Sequence, residues 1–157
     1  MELKEFSAKE LLLWRRKQLA LGGRKVDLDW LLDIGGGLSW SSLQKLYLDP
    51  GRSWILQKSL EQLSTLWRKH LDDHAPLQYL IGKCPWRDFE LEVSPAVMIP
   101  RQETELLVDL ALQRVAKQKI GLWADLGTGS GALAIALARE LPGWIGHAVD
   151  CSQDALS

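Results

Sequence analysis

Cysteine is scarce, with only Cys84 and Cys151 among 157 residues. They stand far apart and match no metal-ligand spacing, which excludes a disulfide framework and a cysteine metal centre; the reading is a reduced, cytoplasmic protein with no metal site. An excess of one charge is also missing. Lys and Arg number 19 against 20 Asp and Glu, a formal net charge of -1. That removes the electrostatic footprint of a nucleic-acid or membrane-surface binder. No apolar run approaches the roughly 20 residues of a membrane span. The opening "MELKEFSAKELLLWRRKQLA" mixes both charges and has no signal-peptide core or small-residue cleavage site. Phe and Tyr occur twice each, whereas Trp occurs eight times. Five of those (Trp14, Trp30, Trp40, Trp54 and Trp67) fall in the first 70 residues and read as large core fillers.

What is present is ordinary globular composition, 46% apolar and 25% charged, in a length that suits one domain or a small domain plus part of another. The first 80 residues read as a small helical bundle. Ser7 with Glu10 three later is a capping box ahead of "AKELLLWRRKQLA", and Gly22-Gly23 stops that helix. "DLDWLLDIGGG" and "SWSSLQKLYLDPG" read as two short helices. Leu56, Leu60, Leu63, Trp67 and Leu71 line one face of a fourth. "HAPLQYLIGKC" reads as a connector with room for one helical turn. "WRDFELEVS" then alternates like a strand or hairpin arm. Pro100 opens a helix with Glu103 and Glu105 in its first turn, at the positive end of the dipole. The tail reads strand ("IGLWADLG"), helix ("GALAIALAREL"), strand ("GWIGHAVD"), the first unit of a parallel α/β sheet.

The chemistry concentrates in "ADLGTGSGALA". Glycines between a strand and a helix let a ligand approach the backbone, and the helix N-terminus offers unpaired N–H groups. Asp150 closes the next strand, where a carboxylate can accept from a ribose diol. Gly127, Gly129 and Gly131 alone fit both a dinucleotide fingerprint and a methyltransferase turn. Asp125 favours the second: a carboxylate repels a pyrophosphate and attracts a sulfonium or α-ammonium group. S-adenosyl-L-methionine is therefore the expected ligand, with a nicotinamide or flavin cofactor as the rival.

"ADLGTGSGALAIALA" followed by "AVDCSQDAL" resembles the class I S-adenosylmethionine-dependent methyltransferases. "PLQYLIGKCPWRDFELEVSPAVMIPR" and "IPRQETELLVDLAL" resemble, more narrowly, the HemK/PrmC family of glutamine methyltransferases that modify peptide-chain release factors. The resemblance covers the whole chain. It implies an α/β protein: a helical substrate-docking domain over 1–75, a connector and β-hairpin over 76–100, and an incomplete Rossmann-like S-adenosylmethionine-binding domain over 101–157. Its cofactor residues fall on Gly127, Thr128, Gly129, Ser130, Gly131 and Asp150, beside Asp125. Arg101, Glu103, Thr104 and Glu105 match the family string and should border the pocket, although Glu103 and Thr104 would also serve as helix caps. Tyr79 matches too, with core packing as its expected role.

The implied reaction is methyl transfer to the side-chain amide nitrogen of a glutamine in a release factor's Gly-Gly-Gln loop. An amide nitrogen is a poor nucleophile, so the chemistry needs positioning and oriented dipoles rather than a general base. In the family those dipoles come from an Asn-Pro-Pro-Tyr string, which this sequence does not contain. The expectation is a monomeric fragment with no catalytic residue of its own, inactive alone. Other readings are a non-catalytic release-factor-binding module and a methyltransferase acting on a ribosomal-protein glutamine.

Overall fold

The computed structural model describes residues 4–156. The chain is mixed α/β and divides into two units between Ile81 and Gly82.

In the first unit, strand β1 (Lys4–Ser7) leads into helix α1 (Ala8–Ala20). The capping box at Ser7 forms: the Glu10 N–H donates to Ser7 Oγ at 3.3 Å, and the Ser7 N–H donates to the Glu10 carboxylate at 2.8 Å. The Ser7 hydroxyl, donating to Glu10 Oε2 at 2.7 Å, and next the Ser7 N–H, hold the Glu10 carboxyl below its ordinary value. Helix α2 (Lys25–Trp30) continues through a π-helical turn over Leu31–Gly35, and α3 (Trp40–Lys45) is capped by Ser39. Strand β2 (Ser53–Leu56) pairs antiparallel with β1 in the register Lys4↔Leu56 to Ser7↔Ser53. Helix α4 (Leu60–Asp73) opens with a second capping box, Ser59 with Gln62, and α5 (Leu77–Ile81) follows.

Two expectations change here. The unit is not purely helical, because β1 and β2 form a ladder; four residues each are too few for alternation to stand out. Leu56 belongs to β2 rather than to the α4 stripe. It is fully buried from the strand, so it satisfies an apolar helical spacing by coincidence. The helical turn allowed for in the connector is α5, whose Leu77 joins the first unit's core.

That core holds Leu11, Trp14, Leu28, Leu31, Leu32, Leu56, Leu63 and Trp67. Each fully buried leucine contributes roughly 1.5–3 kcal/mol. Trp14 and Trp67 fill space and satisfy their indoles: Trp67 Nε1 donates to Gln18 O at 3.1 Å, and Trp14 Nε1 to Ser64 Oγ at 2.8 Å. The buried Trp54 Nε1 has no hydrogen-bond partner among the described residues, and Trp40 is exposed rather than a core filler. Gly23 is required by this packing, since a Cβ there would meet the Trp67 ring at 2.5 Å. Beneath α1, Arg15 and Asp29 form a buried two-pronged ion pair at 2.6 and 2.8 Å, and Arg15 also donates to Tyr47 Oη.

In the second unit, β3 (Lys83–Trp86) and β4 (Phe89–Glu92) make an antiparallel hairpin. Arg87 sits at its tip with φ 52°. Arg101 is extended, Gln102–Thr104 form a 3-10 turn, and helix α6 spans Glu105–Val115, so the α-helix opens later than Pro100 suggests. Arg101, at φ -90° and ψ 148°, breaks the helical path between Pro100 and the helix. The hairpin tip is tied down on two sides. Arg87 pairs with Asp109 of α6, and Asp88 takes both prongs of Arg139 from helix α7 (Ala132–Glu140).

Strands β5 (Gly121–Leu126) and β6 (Trp144–Val149) pair in parallel, joined by α7. The register puts Gly121 beside Trp144 and Gly146 beside Trp123. Each indole lies across the glycine opposite: a Cβ on Gly146 would sit 2.0 Å from Trp123, and one on Gly121 would sit 2.3 Å from Trp144. This reciprocal fit fixes the β6 register, and with it the position of Asp150. Among the described residues no helix is long and apolar enough to cross a membrane.

Candidate functional site

The turn between β5 and α7 is built on three left-handed residues: Gly127 at φ 79°, Gly129 at 54° and Gly131 at 75°. L-residues pay for that region, which accounts for glycine at all three. Packing does not demand them at Gly127 and Gly129, where an added Cβ would meet nothing within 4 Å. That separates them from Gly23, Gly121 and Gly146. The backbone of the turn lies open to a ligand.

The turn is strapped to the end of β6. The Gly127 and Thr128 N–H groups both donate to Val149 O, at 2.8 and 3.0 Å. The Gly129 N–H donates to Asp150 Oδ2 at 2.9 Å, and the Ser152 N–H to Asp150 Oδ1 at 2.9 Å. These backbone bonds, Ser152's first and Gly129's next, hold the Asp150 carboxyl below its ordinary value. Asp125 is the penultimate residue of β5, and Thr128 Oγ1 donates to its Oδ2 at 2.7 Å. Helix α7 starts at Gly131 without a side-chain cap, so its first-turn N–H groups have no intrahelical acceptor and its positive dipole end faces the turn.

The folded chain therefore brings Asp125, Gly127, Thr128, Gly129, Gly131 and Asp150 together at one strand–helix junction. Ser130 lies between two of the left-handed glycines. Sequence reasoning missed Val149 O and the Ser152 N–H. Every residue carries a backbone carbonyl, so Val149 left no signal. Ser152 did: Asp-Cys-Ser is the spacing of a turn in which an aspartate accepts from the N–H two residues on.

No family model matches the chain. Among curated proteins, a release factor glutamine methyltransferase of Prochlorococcus marinus is 62% identical over 154 residues, covering 97% of this chain and 53% of the relative. Proteins of the same name from Gloeobacter violaceus and Synechocystis are 41% and 37% identical, covering 91% and 96% of this chain and 50% and 53% of theirs. Along more than nine-tenths of its length the chain is similar to release factor glutamine methyltransferases. It spans about half the length of the curated relatives it matches.

The family string Pro100 to Glu105 has a structural account as well. Arg101 O accepts from Trp86 Nε1 at 3.0 Å, and the Glu105 carboxylate accepts from the Arg87 N–H at 3.4 Å. The string thus anchors the hairpin. No hydrogen bond or ion pair among the described residues joins Arg101, Glu103, Thr104 or Glu105 to the glycine turn. Thr104 sits at the N-cap position of α6 without a side-chain cap bond. Tyr79 is half-buried on α5. Cys84 is buried, which pushes its thiol up, and Cys151 is exposed; both are unbridged. No cluster of three or more metal-ligating side chains occurs among the described residues.

Proposed function

We propose that this chain supplies the methyl-donor cradle of a release factor glutamine methyltransferase. The donor is S-adenosyl-L-methionine and the acceptor is a glutamine side-chain amide in a release factor. One observation carries the choice of donor. A dinucleotide site points its turn N–H groups at a pyrophosphate. Here the N–H groups of Gly127, Thr128 and Gly129 are all given to Val149 and Asp150. What remains facing the open side is two carboxylates and the N-terminus of α7.

That set fits a zwitterionic amino-acid tail on a nucleoside. Asp125 offers its free oxygen to the cationic end, α7 offers N–H groups to the carboxylate, and Asp150 offers its remaining lone pairs to the ribose hydroxyls. When bound, the donor supplies an electrophilic methyl on a sulfonium. This chain's residues bind it, orient it through the two aspartates, and leave the turn free of side chains on the approach side. No residue described here is assigned to gripping the glutamine, and the Asn-Pro-Pro-Tyr string is not among the 157 residues.

On this reading β5-α7-β6 is the first β-α-β of a Rossmann-like class I methyltransferase domain within 101–157. Residues 76–100 form the connector and hairpin, and 1–75 dock the release factor. The protein works as a cytoplasmic monomer. Calorimetric titration with S-adenosylhomocysteine tests the donor site. The expected result is saturable one-to-one binding that NAD does not displace and that Asp125→Ala weakens. Preferential NAD binding, or tighter binding by Asp125→Ala, overturns the assignment.

A further inference from the structure

We propose that Asp150 is a positioning residue as well as a ribose contact: its carboxylate fastens the glycine turn to the end of β6, presetting the turn before the donor arrives. The inference rests on the donor-site reading for its purpose, but its geometry stands without any ligand. Three successive N–H groups of the turn are committed to two neighbouring residues, Gly127 and Thr128 to Val149 O and Gly129 to Asp150 Oδ2. The other Asp150 oxygen accepts from Ser152. One side chain therefore bridges the loop before α7 and the turn after β6.

The need for such a bridge follows from the sequence of the turn. Gly127, Thr128, Gly129, Ser130 and Gly131 alternate glycine with small polar residues, and glycine has the most backbone freedom to lose on ordering. Nothing packs on Gly127 or Gly129 within 4 Å of where a Cβ would stand, so side-chain contacts do not hold those positions. Hydrogen bonds have to. The Val149 carbonyl holds the first half of the turn. Gly129, at its middle, depends on the charge-assisted bond to Asp150, which is stronger than a neutral one. A turn already ordered spares the donor part of the ordering cost on binding. Each carboxylate oxygen keeps a second acceptor direction, so the bridge and the ribose contact are compatible.

The test reads amide hydrogen exchange and 15N shifts in the ligand-free full-length protein. In Asp150→Ala the Gly129 amide is expected to exchange roughly tenfold faster or more. The Gly127 and Thr128 amides, held by Val149, should stay within about twofold of wild type on the same reasoning. Asp150→Asn, which keeps one acceptor oxygen, should fall between. Gly129 exchange unchanged in Asp150→Ala overturns the proposal. If Asp150→Ala does not fold, wild type decides. On acidification the Gly129 and Ser152 amide shifts should move together, with one midpoint below the ordinary carboxylate range. Asp125→Asn removes the turn's other carboxylate and should leave that midpoint in place. A flat Gly129 shift refutes the bridge. Adding S-adenosylhomocysteine is a separate arm. A confirmed bridge with no response to that compound sinks the donor-site reading and leaves the positioning role standing.

Discussion

Gly127 and Gly82 provide a matched pair that separates backbone strain from ligand contact. Their φ angles are 79° and 80°, and an added Cβ meets nothing within 4 Å at either position. Alanine at each therefore costs the fold the same left-handed strain, about 1–2 kcal/mol, with no clash added. Both lie in the second unit, so both melt with it. They differ in one respect. The space beside Gly127 lies in the proposed donor site, between Asp125 and Asp150, whereas Gly82 precedes the hairpin. A methyl group in a filled pocket costs about 1–3 kcal/mol of overpacking. That corresponds to roughly 5- to 150-fold in Kd. Thermal melts of the full-length protein should thus show similar losses for Gly127→Ala and Gly82→Ala. Calorimetry with S-adenosylhomocysteine should show weakened binding for Gly127→Ala alone. Equal affinities in the two variants refute the idea that the open side of the turn is where the donor lies.

The reciprocal Trp–Gly pairs predict a coupled result. Gly146→Ala should destabilise the second unit by about 1–3 kcal/mol, because its Cβ lands 2.0 Å from Trp123. Trp123→Leu in the same molecule should recover part of the loss, read as amide exchange in β5 and β6; strict additivity would contradict the packing account. In the first unit, Asp29→Ala strands the buried Arg15 guanidinium. Its cost should be about 3–5 kcal/mol by denaturant unfolding, and Arg15→Met with Asp29→Leu should recover most of it. Ser59→Ala removes the α4 cap and should cost about 1 kcal/mol, with faster exchange confined to the first turn of that helix.

Much of this was legible before folding because its causes are local. Ser7 with Glu10 lie within one turn of helix, so their capping box is written in three residues' spacing. The β5-α7-β6 order follows from two apolar strands around a helical run. The glycine turn was legible because glycine enters the left-handed region without the steric cost other residues meet there, and Asp125 lies three residues from its partner Thr128, a local spacing. The resemblance carried by "PRQETE" holds at the level of family. One miss came from ambiguity of period. Leu56 fits a helical stripe and a strand equally well, and only the β1 partner strand, nearly 50 residues earlier in the chain, decides between them.

Composition and local spacing determined which residues this protein could use: a glycine-rich turn, an aspartate near the end of each strand, and tryptophans such as Trp14 and Trp67 for the core. Tertiary structure alone decided how they are joined. The β5–β6 register, set by an indole lying over a glycine in each direction, brings Asp150 to the Gly129 amide across a sequence separation of 21. Hydrogen bonds between distant residues depend on register, and register depends on which side chains fill the space between strands, a property of pairs that no single stretch of sequence displays.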